Sequence, residues 1–134
     1  MTILDAFVDS NVWLYAFIKA QDSIKTTKSR DIINSLQTIF VSTQVINEVC
    51  VNLLRKQNSS ETNLRDFIDD FYTLYQVIEL RHKQLMHASH LRETYSLSYW
   101  DSLIVSAALA SGTSTIYSED MQDGLRIDNQ VIII

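Results

Sequence analysis

From Ser98 to Gly112 the sequence runs Ser-Tyr-Trp-Asp-Ser-Leu-Ile-Val-Ser-Ala-Ala-Leu-Ala-Ser-Gly. At helical spacing its apolar residues, Leu103, Ile104, Ala107, Ala108 and Leu109, cover most of the cylinder, which predicts a buried helix. Ser98 followed by Asp101 fits a capping box at its start, and Gly112 fits a left-handed stop at its end. The small residues Ser106, Ala107, Ala108, Ala110 and Ser111 let neighbouring elements come close. Trp100 reads most simply as a core aromatic. Asp101, in the first turn, either caps the helix or points into a shared polar site.

The rest of the chain supplies what such a helix packs on. Leu4 to Val8 reads as a short apolar strand running into the polar turn Asp9-Ser10-Asn11, and Val12 to Ile18 as a helix. A second helix fits Lys25 to Gln37. Thr38 to Val41 reads as a strand, after which Ser42 or Thr43 caps a helix reaching about Lys56. Gln57 to Ser60 is the clearest loop and leads into a helix over roughly Glu61 to Leu74. Gln76 to Glu79 reads as a strand and Arg81 to Tyr95 as a helix. Beyond Gly112, Ser114 to Tyr117 and the β-branched run Gln130 to Ile134 read as strands. Short apolar strands alternating with helices predict one domain over residues 1–134, an α/β fold with three α/β/α layers around a mostly parallel sheet.

Composition narrows the function classes. The 134 residues are 46% hydrophobic and 20% charged, ordinary for a globular chain, and no apolar run approaches the ~20 residues of a membrane span. Cys50 stands alone, which excludes a disulfide framework and a cysteine-rich zinc site. With no secretory pattern at the start, the chain reads as cytoplasmic. The net charge of −5 is unevenly spread. Residues 1–92 are balanced, whereas residues 93–134 set Arg126 alone against Glu93, Asp101, Glu119, Asp120, Asp123 and Asp128. Concentrated carboxylates repel unless they are solvated, protonated or neutralised by a cation.

In parallel sheets ligands bind beyond the carboxyl ends of the strands. Asp9 lies just after the first strand, and Ser118, Asp120 and Asp123 just after a later one. Asp101 opens the helix feeding that later strand, and Glu48 sits in the helix after the second. Each acid taken singly has a plainer reading: Asp9 and Asp101 as caps, Asp120 and Asp123 as turn residues before Gly124, Glu48 as part of a polar stripe with Gln44 and Asn52. Their joint placement at one edge is what points to a site. Oxygen ligands from several elements suit a hard cation, Mg²⁺ or Mn²⁺, better than zinc or copper. Such an ion neutralises a phosphate and activates water, which makes phosphoryl hydrolysis the matching reaction class.

Four segments carry a family resemblance: Phe-Val-Asp-Ser-Asn-Val-Trp-Leu-Tyr around Asp9, Val-Ile-Asn-Glu-Val around Glu48, Ser-Tyr-Trp-Asp-Ser-Leu-Ile around Asp101, and Ser-Glu-Asp-Met-Gln-Asp-Gly over residues 118–124. In this order they resemble a PIN-domain ribonuclease, and more narrowly the toxin of a VapBC-type toxin–antitoxin pair. The resemblance implies a metal-dependent endoribonuclease that leaves a 5′-phosphate and a 3′-hydroxyl. It implies Asp9, Glu48, Asp101 and Asp120 as catalytic acids and ligands of Mg²⁺ or Mn²⁺, with Asp123 the alternative fourth acid. Asn11 and Ser118 match positions that support the acids by hydrogen bonding. The implied partners are RNA, a cognate antitoxin and a second copy of the chain, with no membrane. Relatives usually continue beyond the last strand, whereas this sequence stops at Ile134.

Other features fit less well. His82, His87 and His90 share one predicted helix without further zinc ligands and read as surface residues. Lys25, Lys28, Arg30, Lys56, Arg81 and Lys83 read as solvated helix charges. Arg55, seven residues after Glu48 and nearly on its face, is the candidate contact to RNA or antitoxin. No glycine loop cradles a phosphate, which excludes a nucleotide-binding loop. The competing readings are a non-catalytic PIN-like module binding RNA or protein, and a nuclease acting on DNA.

Overall fold

The computed structural model describes residues 2–18, 22–128 and 131–133. Among these, six strands form one sheet: β1 (Asp5–Val8), β2 (Thr38–Ser42), β3 (Gln76–Ile78), β4 (Thr115–Tyr117), β5 (Arg126–Ile127) and β6 (Val131–Ile133), in the order β3-β2-β1-β4-β6-β5. Every pairing is parallel except that of β5 with β6. Six helices connect them: α1 (Ser10–Phe17), α2 (Ser23–Ser35), α3 (Thr43–Lys56), α4 (Glu61–Leu74), α5 (His82–Tyr95) and α6 (Tyr99–Ser111). The expected α/β architecture is the one observed. Gln130 and Ile134, the two ends of the last expected strand, lie outside the described residues.

The chain steps outward from β1 to β2 to β3 through α1 to α4, then crosses back to β4 through α5 and α6. Right-handed crossovers place the two helix sets on opposite faces of the sheet. The packing agrees: α1 lies against α2 and α3, α3 against α4, and α5 against α6, which covers β2, β3 and β4. With both faces covered, Ala6, Phe7 and Val8 of β1 are fully buried.

Trp13 anchors the α1 layer. It is 1% exposed, donates its indole N–H to the Val8 carbonyl at 3.2 Å, and packs edge-on to Phe71 with ring centroids 5.0 Å apart. Tyr75 closes the cluster, 4.9 Å from the Trp13 ring. This aromatic contact joins the first helix to α4 over a long loop of chain, so it stabilises topology as well as volume.

The apolar helix α6 is buried from Ser102 to Ala108 and ends at Gly112, whose φ of +82° is the left-handed turn expected there. Its first turn departs from expectation. Trp100 is 65% exposed and is not a core aromatic. The apolar face of a helix is covered only where a layer lies over it, and here the buried stretch begins at Ser102, past Tyr99 and Trp100.

The candidate acidic site at the carboxyl edge of the sheet

Two neighbouring parallel strands create the centre of the site. Val8 pairs with Tyr117, and the amide of Asp9 continues the ladder by donating to the Tyr117 carbonyl at 3.0 Å. The residues that follow each strand, Asp9 and Ser118, are thereby side by side. Ser118 donates its hydroxyl to Asp9 Oδ2 at 2.8 Å, and the amide of Ser10 donates to Asp9 Oδ1 at 2.7 Å. Asp9 is thus both the N-cap of α1 and a buried carboxylate, 5% exposed. Capping and site membership, set against each other in the sequence, coexist in one side chain.

Glu48 approaches from α3, which Ser42 starts by accepting from the Val45 amide. One oxygen of Glu48 accepts from the Ser10 hydroxyl, and the other from Gln44 Nε2 at 3.0 Å. Ser10 lies 3.5 Å from Asp9 Oδ1 as well, so this hydroxyl spans the two acids. Gln44 also reaches the backbone oxygen of Trp100 at 3.3 Å, which ties α3 to the start of α6. The polar stripe Gln44–Glu48–Asn52 is partly buried, with Asn52 donating to the Glu48 carbonyl at 2.9 Å. Sequence inspection assigned Ser10 and Gln44 no part in the site. The available signal was weak: a hydroxyl directly after the first acid, and an amide one helical turn before the second.

Asp101 follows the Ser98 cap, whose hydroxyl accepts from the Asp101 amide at 3.0 Å. Asp9 and Asp101 each feel the charges of Glu48 and Asp120. Burial pushes the Asp9 carboxyl up to about 6, partly offset by Ser118 and Ser10, and the charges of Glu48 and Asp120 push the same way. The Asp101 carboxyl is also raised, first by burial, then by Asp120 and Glu48, against the pull of the Ser98 hydroxyl. Burial is the larger cause in both, and like charges nearby disfavour ionisation further.

The remaining residues divide. Asp120 is exposed after β4 and its charge acts on Asp9 and Asp101, whereas Asp123 lines a cavity of about 310 Å³ with Tyr15, Lys25, Lys28 and Ser118. Asn11 Oδ1 accepts from the Glu119 amide at 3.3 Å, and its Nδ2 is buried without a partner. Lys25 bonds Glu119 at 2.5 Å, holding the loop after β4 against α2. Arg55 is exposed in the last turn of α3 and joins no ion pair among the described residues. The histidines are on the surface, with His87 3.8 Å from Asp128 and His90 4.0 Å from Glu93.

Among the described residues no three acidic, histidine or cysteine side chains are close enough together to hold a metal ion as they stand. The acids converge without forming a closed ligand set. Their chemistry still fits a hard cation: every donor is oxygen, and a positive ion would offset the burial and the like charges that raise Asp9 and Asp101.

The sequence pattern of the PIN domain matches residues 6–124. No curated protein matches the sequence. Solved structures do. A toxin–antitoxin complex from Klebsiella pneumoniae is similar over 96% of this chain and 95% of that one, with a TM-score of 0.71 and 14% identity. VapC20 of Mycobacterium tuberculosis, a toxin that cleaves the sarcin–ricin loop, is similar over 86% and 89%, with a TM-score of 0.69 and 17% identity. VapBC2 of Rickettsia felis, bound to a DNA fragment from its promoter, is similar over 98% of each chain, with a TM-score of 0.65 and 21% identity. At these identities the likeness concerns the fold. Among the described residues no helix is long and apolar enough to cross a membrane.

Proposed function

The chain belongs to the PIN domain family, and from that premise we propose that it is a Mg²⁺- or Mn²⁺-dependent endoribonuclease, the toxin of a toxin–antitoxin pair. The observation that supports this reading is the Ser10 hydroxyl spanning Asp9 and Glu48 at the carboxyl edge of a parallel sheet, the edge where such folds bind ligands. Burial is the main cause that raises Asp9 and Asp101, and the charges of Glu48 and Asp120 add to it. A structural cap needs no such company.

Asp9, Glu48, Asp101 and Asp120 would hold the ion. When bound, it supplies charge to neutralise a phosphodiester and lowers the pKa of a water near it. The protein does the rest by positioning. Ser118 and the Ser10 amide fix both oxygens of Asp9, and the Ser10 hydroxyl and Gln44 fix both oxygens of Glu48. Such outer hydrogen bonds aim ligand lone pairs and limit rotation as phosphate charge develops. Asp120, the most exposed of the four, leaves the approach open to solvent and to a polynucleotide.

Partnership with an antitoxin and pairing with a second copy belong to the same reading, as does action in the cytoplasm. The antitoxin finds support in toxin–antitoxin complexes of similar fold. Arg55 remains the proposed contact to RNA or antitoxin.

The test is cleavage of RNA by the purified chain in Mg²⁺ or Mn²⁺, with new 5′ ends mapped. Asp9→Asn and Asp101→Asn are expected to abolish cleavage while retaining native circular dichroism. Continued cutting by both variants would overturn the assignment. Binding of RNA with neither cleavage nor Mn²⁺ uptake would favour a non-catalytic module.

A further inference from the structure

The first turn of α6 exposes 65% of Trp100 and 40% of Tyr99, whose rings meet edge-to-face with centroids 5.8 Å apart. Leaving an indole in water forgoes the burial that normally makes tryptophan stabilising. Trp100 also lines an open cavity of about 680 Å³ with Leu14, Leu80 and Leu103. Thr43, Gln44, Asn47, Glu48, Val51 and Asn52 line the rest, so the cavity reaches the acidic edge through Glu48. No lysine or arginine lines it, so it offers no cation to a phosphate and suits a neutral group with an apolar face.

Gln44 stands between the ring and the acids. Its Nε2 donates to two pure acceptors, Glu48 Oε1 and the Trp100 carbonyl, and its Oε1 is buried. The amide orientation is fixed by those partners, because its oxygen could bond neither of them. What the open cavity offers is a flat apolar ring for stacking, and an unstacked nucleobase supplies the matching planar face.

We propose that Trp100 stacks on a base of single-stranded RNA next to the scissile phosphate. This rests on the reading of the acidic edge as an RNA-cleaving site. Glu48 belongs to both regions, so a strand whose phosphate reaches the acids carries a neighbouring base over the indole. Trp100 selects how RNA lies and not whether it is cut.

The experiment measures binding of a labelled single-stranded oligoadenylate by the Asp9→Asn chain, which keeps the RNA intact. Trp13 is 1% exposed, so quenching of the accessible tryptophan emission by RNA reports Trp100. Adding Trp100→Ala is expected to weaken binding by roughly ten- to a hundredfold, the usual effect of removing one stacking aromatic. Trp100→Phe should retain most of the affinity. An oligomer with an abasic nucleotide at the contacted position should bind the Trp100 protein as weakly as the alanine variant binds intact RNA, and the alanine variant should not distinguish the two oligomers. Unchanged affinity on Trp100→Ala, or an equal loss for intact and abasic RNA, would overturn the proposal, as would an alanine variant that keeps RNA binding and loses only a protein partner. Absence of both RNA binding and cleavage in the wild-type chain would remove the nuclease reading as well. Cleavage with a binding-neutral Trp100→Ala would remove this inference alone.

Discussion

Ser118 donates its hydroxyl to Asp9 Oδ2 at 2.8 Å, across 109 positions of sequence. The bond exists because β1 and β4 are paired in parallel and end level with each other. It turns an acid that could rotate into one with both oxygens aimed, and it lowers the cost of keeping that acid ionised while buried.

Ser118→Ala should therefore raise the Asp9 carboxyl further and loosen its orientation. Outer-shell partners of this kind are worth about 10- to 100-fold in metal affinity or activity. The expected result is a loss of that size in Mn²⁺ affinity by calorimetry, with RNA cleavage falling in step. Equal Mn²⁺ affinity in the two proteins would show that the hydroxyl does not orient a ligand.

Asp9 should make the metal-free protein less stable at neutral pH. Its carboxyl titrates near 3.8 when unfolded and about 6 when folded, so the folded chain holds the proton more tightly. The stabilisation is present at low pH and is lost as pH rises through the folded value, mostly between pH 4 and 6. At pH 7 the ionised group costs at most about 3 kcal/mol. Asp9→Asn, which can still accept from Ser10, should raise the denaturation midpoint at pH 7 and flatten its dependence on pH. A variant less stable than wild type at pH 7 would contradict the sign of the shift.

Phe71→Ala tests the aromatic joint between α1 and α4. The side chain is 2% exposed and packs on both Trp13 and Tyr75. Truncation should cost about 3–5 kcal/mol in chemical denaturation, the usual range for a buried phenylalanine. A loss below about 1 kcal/mol would mean that the cluster collapses around the gap.

Gly112→Ala isolates backbone strain. No atom lies within 4 Å of the position a Cβ would take, so nothing collides with it. The φ of +82° remains unfavourable for alanine and should cost about 1–2 kcal/mol. Gly112→Asn should lose less, because asparagine tolerates the left-handed region better.

Periodicity and caps made most of the fold legible. Ser42, Ser60 and Ser98 each cap a helix by accepting an amide hydrogen, and β-branched runs marked the strands. The pair Arg126–Ile127 escaped because two residues carry no alternation; they are a strand only by virtue of β6 beside them. Strand ends and helix starts singled out Asp9, Glu48, Asp101, Asp120 and Asp123, and the family resemblance chose four of them. Ser10 and Gln44 were not singled out, since a serine in a first turn and a glutamine on a polar stripe look like ordinary helix residues until another element meets them. Trp100 was misread for a geometric reason: apolar periodicity shows which side of a helix faces inward, not how far the covering layer extends along it.

The hydrogen bond from the Asp9 amide to the Tyr117 carbonyl also has a bearing on biosynthesis. A ribosome makes Asp9 early, yet its neighbour strand and Asp120 emerge more than a hundred residues later, and pairing of such distant segments is slow. Until then the first acid has no Ser118 beside it, and the two sides of the candidate site come together only after almost the entire polypeptide has been translated and folded.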